Sequence, residues 1–229
     1  MLSFCKLEKL FLCLKFPSVL LRRYEKENYV AMKKKIIEVA TSLFLDLGFK
    51  SVTMDDLAKE MAISKKTIYS FFENKTQLVK CCTEQLSDAI YAEIVEIQHK
   101  LLHPIEELYE IRQVVRKHLK NEKSSPQYQL QKYFPKLYES QRQGKFEMMH
   151  GILTQNLKRG IQVGCYRPEL DLEFTARVHF FNYMSFADKK VYPDRLFDYN
   201  KITLAFLDYH VRGIASDQGL AYLNQYQSK

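Results

Sequence analysis

The strongest constraint on this chain lies in residues 33–79, where three apolar stripes of helical period are separated by gaps that hold only tight turns. In the first, Ile36, Val39, Ala40, Leu43, Phe44 and Leu47 recur at intervals of three and four, one face of a helix over about three turns. Gly48 follows it, as a residue tolerant of the left-handed conformation that ends helices. Thr53 and Asp56 stand three apart ahead of Leu57, Ala58 and Met61, a capping-box pattern that opens a helix of barely two turns. Ser64 is placed to cap a third short helix, Lys65 to Phe72, in which Ile68 and Phe72 point into the same core. Lys65, Lys66, Tyr69 and Ser70 cannot share that face and look outward.

Beyond Lys75 the helical pattern continues. A fourth helix is expected to about Gln98, and a fifth from Pro104 to about Glu122 with Ile105, Leu108, Ile111, Val115 and Leu119 as its stripe. After a turn at "KSSPQ", residues 127–141 read as a helix kinked at Pro135, and residues 144–163 as another ended by Gly164. Two long helices over 171–187 and 194–214 follow, then a short one near Leu220. With only 7 Gly and 6 single Pro in 229 residues, and no convincing strand or repeat, the expected class is all-α.

Residues 1–31 lack this regularity. Lys9 and Lys15 interrupt the apolar run at Leu10–Leu14, which is too short to span a bilayer and lacks the features of a secretory signal. They are read as a loosely docked arm or as sequence preceding a start at Met32. The expected division is thus 1–31 as an extension, 32–78 as a three-helix domain and 79–229 as a larger helical domain.

Net charge is +8, with residues 1–31 and 32–80 each carrying +3, a balance that admits nucleic acid or an acidic membrane surface as partner and does not choose between them. Cys5, Cys13, Cys81, Cys82 and Cys165 show no CxxC spacing, which points to free thiols of a cytoplasmic protein rather than disulfides or a zinc site. His150, His179 and His210 have no companions at metal-ligand spacing. No nucleophile, phosphate-loop or paired-carboxylate pattern stands out. No enzyme activity, metal or cofactor is expected.

Three short helices with a tight turn between the second and third form a helix-turn-helix unit, whose last helix enters the major groove of double-stranded DNA. Taken alone, the third helix reads more readily as a capped, solvated surface helix. The agreement of all three in length, turn, caps and apolar positions favours the DNA-binding reading. "IIEVATSLFLDLGFKSVTMDDLAKEMAISKKTIYSFFENKTQLV" resembles the DNA-binding domain of the TetR family of bacterial transcriptional regulators. The resemblance implies phosphate contacts from Thr53, Tyr69 and Lys75, and a base-reading face of Lys65, Lys66, Thr67 and Ser70 opened by the cap Ser64. Two positions depart from the family pattern: Ala62 occupies the turn position that usually holds Gly, and Phe71 a position often Tyr or His.

The same resemblance implies that residues 79–229 form a homodimerisation and ligand-binding domain, with "GCYRPELD" (164–171) as the joint before two dimer-forming helices. An apolar pocket for an unidentified small molecule is expected near Pro135, with Tyr133, Phe134, Tyr138, Met149, Phe180 and Met184 as candidate lining residues. The leading function is an operator-binding transcriptional regulator, a repressor released by an apolar or aromatic ligand. An architectural or partner-binding helix-turn-helix protein without inducer is the alternative, and a helical carrier or enzyme with a vestigial N-terminal unit is a third.

Overall fold

The computed structural model describes residues 18–119, 126–186, 188–193 and 195–228. In order, its helices are α1 (Ser18–Leu47), α2 (Met54–Glu60), α3 (Lys65–Tyr69), α4 (Lys75–His99), α5 (Pro104–Leu119), α6 (Pro126–Tyr133), α7 (Pro135–Gln162), α8 (Leu172–Ser185), α9 (Tyr199–Ile214) and α10 (Asp217–Gln227). No strand is present among the described residues, whose β geometry is limited to an isolated bridge between Tyr166 and Ala215.

The N-terminal core gathers Ile36, Ala40 and Phe44 of α1, Leu57 and Ala58 of α2, Ile68 of α3, Phe72, and Leu78, Val79 and Cys82 of α4. Leu47, read as part of the first stripe, is instead exposed at the end of α1. The core continues beyond α4: Leu130 of α6 and Leu137 and Tyr138 of α7 are buried in it, with Phe134 packed against it. Gly48 permits this approach. Its φ of 89° is left-handed, and a Cβ there would meet the Gln129 side chain at 2.5 Å.

α5, the C-terminal half of α7, α8, α9 and α10 share a second core, which includes Ile105, Leu157, Tyr166, Val211 and Leu223. It encloses a polar network. Glu107 is fully buried, paired with Arg159, and its Oε1 accepts from Asn156 Nδ2 at 2.9 Å. Tyr166 donates to Asn156 Oδ1 at 3.1 Å. The Tyr166 ring packs against Gly160, where a Cβ would fall 1.9 Å from it, so the close passage of chain over α7 requires glycine. The joint after α7 is pinned to the start of α10 by Ser216, whose amide donates to Cys165 O at 3.1 Å and whose hydroxyl donates to Gly164 O at 2.6 Å.

Four elements differ from expectation. α1 begins at Ser18, well before Met32; over residues 22–31 nearly every side chain is exposed, so this part of the helix presents no apolar stripe to a core. Pairs such as Arg23–Glu27 at 2.9 Å support that turn. Pro135 does not kink a continuous helix; the chain breaks at Phe134 and Pro135 opens α7, its missing amide costing nothing at a first helical position. α7 then runs through Gly144, where an added Cβ would meet nothing within 4 Å and no boundary forms. α9 starts only at Tyr199, capped by Asp198.

Ala62 adopts φ 51°, the left-handed conformation of the α2–α3 turn. Ala62→Gly is expected to stabilise the protein by roughly 0.5–1 kcal/mol, since relief of the Cβ clash exceeds glycine's greater freedom when unfolded. Urea unfolding would measure it, and a loss of stability would mean the turn is not strained.

Candidate nucleic-acid interface and internal cavity

The reading unit is built by local hydrogen bonds. Asp56 N–H donates to Thr53 Oγ1 at 3.1 Å while Thr53 N–H donates to Asp56 Oδ2 at 2.9 Å, a reciprocal cap on α2. The Thr53 hydroxyl, which donates to Asp56 Oδ2 at 2.7 Å, and then the Thr53 N–H hold the Asp56 carboxyl below its ordinary pKa. Ser64 Oγ accepts from Thr67 N–H at 3.0 Å and fixes the start of α3. Ile68 and Phe72 are buried beneath it, while Lys66, Tyr69 and Ser70 are exposed. The short α3 ends at Tyr69, with Ser70 donating to Thr67 O at 2.6 Å. Lys65 turns back to Asp55 of α2 at 2.9 Å. Lys75, first residue of α4, reaches toward Lys50 O at 3.4 Å, and partial burial lowers its pKa.

Phe71 has a structural explanation. Its ring stacks on Tyr29 of α1 with centroids 4.6 Å apart, so the aromatic group at this position ties the first helix to the reading unit.

A second site lies inside the larger domain. A cavity of about 220 Å³ is walled by α4, α5, α7, α8 and α9, and by Phe49 and Leu130 on the side of the N-terminal core. Most of its surface is aliphatic or aromatic, including Ile90, Ile111, Met148 and Phe206. Its polar side chains are Thr83, Ser87, Arg112, Lys145, His179, Tyr183, Tyr199 and Thr203, and no aspartate or glutamate is among the described lining residues. Burial pushes His179 down to about 3 and His210 to about 4, so both imidazoles are neutral near pH 7. Their rings meet edge to face, centroids 4.6 Å apart. His150 is separate from them and contacts Glu173 Oε2 at 2.6 Å. Among the described residues no cluster of metal ligands forms.

Residues 36–82 match the family described as bacterial regulatory proteins, tetR family. The N-terminal domain belongs to the TetR family. The biofilm operon icaADBC HTH-type negative transcriptional regulator IcaR of Staphylococcus aureus (strain Newman) is 37% identical over 83 residues, which cover 34% of this chain and 42% of that protein. The chain therefore matches less than half the length of that relative. The uncharacterised HTH-type transcriptional regulator YhgD of Bacillus subtilis is 28% identical over 179 residues, 74% of this chain and 84% of that one. The fold of a transcriptional regulator, TetR family, from Cytophaga hutchinsonii superposes with a TM-score of 0.65 at 16% identity, covering 83% of this chain and 98% of that structure.

In this TetR domain, Thr53 caps the start of α2, Ser64 and Ser70 flank α3, Lys65, Lys66, Thr67 and Tyr69 lie on α3, and Lys75 opens α4. They are not equivalent. The hydroxyls of Thr53, Ser64 and Ser70 already make internal bonds, and Lys65 is paired, whereas Lys66 and Tyr69 project outward. Of the six candidate ligand residues, Met149 and Met184 line the cavity. The other four are not among its walls. Tyr133 lies under Lys50 and Lys132, Phe134 packs edge-on to Phe49, Tyr138 is in the N-terminal core, and Phe180 packs on Phe146. The cavity is not beneath Pro135, because the residues around that proline are drawn into the core shared with the TetR domain.

Arg112, Lys145, His179 and Tyr183 also line the cavity and were not among the six candidates. Arg112 left a signal, for it stands four after Leu108 and three before Val115, inside an otherwise apolar stripe.

Proposed function

We propose that the protein is a homodimeric, ligand-responsive transcriptional regulator that binds double-stranded operator DNA through α3 and acts as a repressor. The observation that carries this reading is the split of residues 65–72, α3 and the turn after it: Ile68 and Phe72 are buried at 0% and 1%, while Lys66 and Tyr69 face out. A helix so anchored presents a fixed face to a groove. The sign of regulation rests on the Staphylococcus relative, which is named a negative regulator.

The cavity supports the effector half of the proposal over an architectural role. Phe49 and Leu130 belong at once to its wall and to the core of the TetR domain. An occupant that binds one arrangement of these side chains more tightly shifts the population of reading-helix positions by that difference in affinity. Exposed Phe174 and Phe181 on α8, with Leu204 and Tyr209 on α9, supply the apolar surface for a two-fold partner. No helix among the described residues is long and apolar enough to cross a membrane, in keeping with a regulator that meets DNA in the cytoplasm.

The test is binding to operator variants across a salt series. Tyr69→Ala and Lys75→Ala are expected to weaken all sequences alike, and loss of Lys75 to reduce the salt slope by roughly one unit. Lys66→Ala is expected to change base preference by ~1–3 kcal/mol. Lys65→Ala is expected to change it less, its ammonium being held by Asp55. Unchanged base preference in Lys66→Ala would remove α3 from the major groove.

A further inference from the structure

We infer that the cavity's ligand is an organic anion, a carboxylate carried on an apolar or aromatic body, whose charge is met by Arg112 and Lys145. This deepens the proposed effector site and rests on it.

Two cations line a cavity whose other walls are largely apolar. Arg112, on α5, is 7% exposed. Its Nη2 donates to Asn200 O and weakly to Thr203 Oγ1 at 3.5 Å, both neutral acceptors, and its Nε has no partner. The titratable and charged groups that act on it are Tyr183, Arg116, Tyr109 and Tyr199, none of them a carboxylate. Lys145, on α7, faces the same space, and desolvation alone lowers its pKa. Elsewhere the fold answers a buried charge directly, as Arg159 answers Glu107. Taking a cation out of water without a counter-charge is unfavourable. A guanidinium with a spare donor and an ammonium on the facing helix therefore leave a place for an anion brought from outside. The aliphatic and methionine walls suit the body of such a molecule, and the neutral His179 and Tyr183 add polar contacts without adding charge.

The experiment is calorimetric titration of the full chain with matched pairs of a carboxylate and its alcohol: decanoate with decanol, and phenylbutanoate with phenylbutanol. The carboxylate of at least one pair is expected to bind about tenfold or more tightly than its alcohol, as a charge-assisted contact requires. Lys145→Met is expected to erase most of that preference and keep the alcohol's affinity, with Lys145→Arg restoring it. The ligand-free melting temperature of Lys145→Met is expected to rise, since an uncompensated cation is gone. Alcohols bound as tightly as carboxylates would overturn the anion inference and leave the effector site standing. A preference unchanged in Lys145→Met would overturn the role of that lysine. No binding in either pair would overturn both the inference and the effector reading.

Discussion

Replacing Phe181 by glutamate is expected to leave each chain folded, to make it monomeric, and to lower operator affinity by ~10²–10⁴-fold. Phe181 is 58% exposed on α8 and touches Phe180 edge-on, so its outer surface has little to do with the chain's own core. A carboxylate there costs a single chain little. In the proposed two-fold dimer this position lies in the interface, where burying a carboxylate from each chain is strongly unfavourable. The loss in DNA binding follows from geometry: a dimer that seats one reading helix holds the second near its half-site at an effective concentration that a free monomer lacks. Light scattering and mobility shift measure the two effects. Val163→Glu is the control, since Val163 is also exposed, at 53%, but lies at the end of α7 outside the proposed interface. A dimeric Phe181→Glu protein that binds operator normally would move the interface elsewhere.

Arg159→Met is expected to cost about 3–5 kcal/mol of folding stability, the usual range when one partner of a buried ion pair is removed. Glu107 is fully buried, and Arg159 is its counter-charge while also donating to Leu102 O at 2.6 Å. Asn156 continues to hydrogen-bond the carboxylate, but no cation takes the place of Arg159. Glu107→Gln combined with Arg159→Met is expected to cost less than Arg159→Met alone, because the stranded charge is then absent. Urea unfolding of the three proteins measures this. A single-variant cost below about 1 kcal/mol, within the range of a surface pair, would contradict the enclosure of the network.

The N-terminal unit was legible because its signals are local. Thr53 with Asp56, Ser64 with Thr67, and Gly48 after a stripe each act within four residues, so the caps and turns follow from the order of side chains. The strained Ala62 was legible for the same reason. The start of α1 was not, because a helix stabilised by charged pairs on an exposed surface carries no apolar period. The break at Phe134 was half legible: Pro135 announced a disturbance, but whether a proline kinks a helix or opens one depends on what the preceding turn packs against.

For the cavity the sequence supplied abundance without address. Large side chains are spread through the C-terminal part, and helical spacing says which share a face, not which neighbouring helix that face meets. Phe134 and Tyr138 went to the N-terminal core because α6 and the start of α7 fold back onto α1 and α4. Met149 and Met184 were left around a void. The contacts of Arg112 with Asn200 and Thr203 join residues about ninety positions apart, and the meeting of His179 with His210 joins α8 to α9. The sequence by itself determined the all-α class, the capped reading unit and the outward face of α3, since short-range sterics and hydrogen bonds decide them. Only the packing of distant helices decided where the cavity lies, that two unanswered cations face into it, and that Phe49 joins its wall to the DNA-binding core.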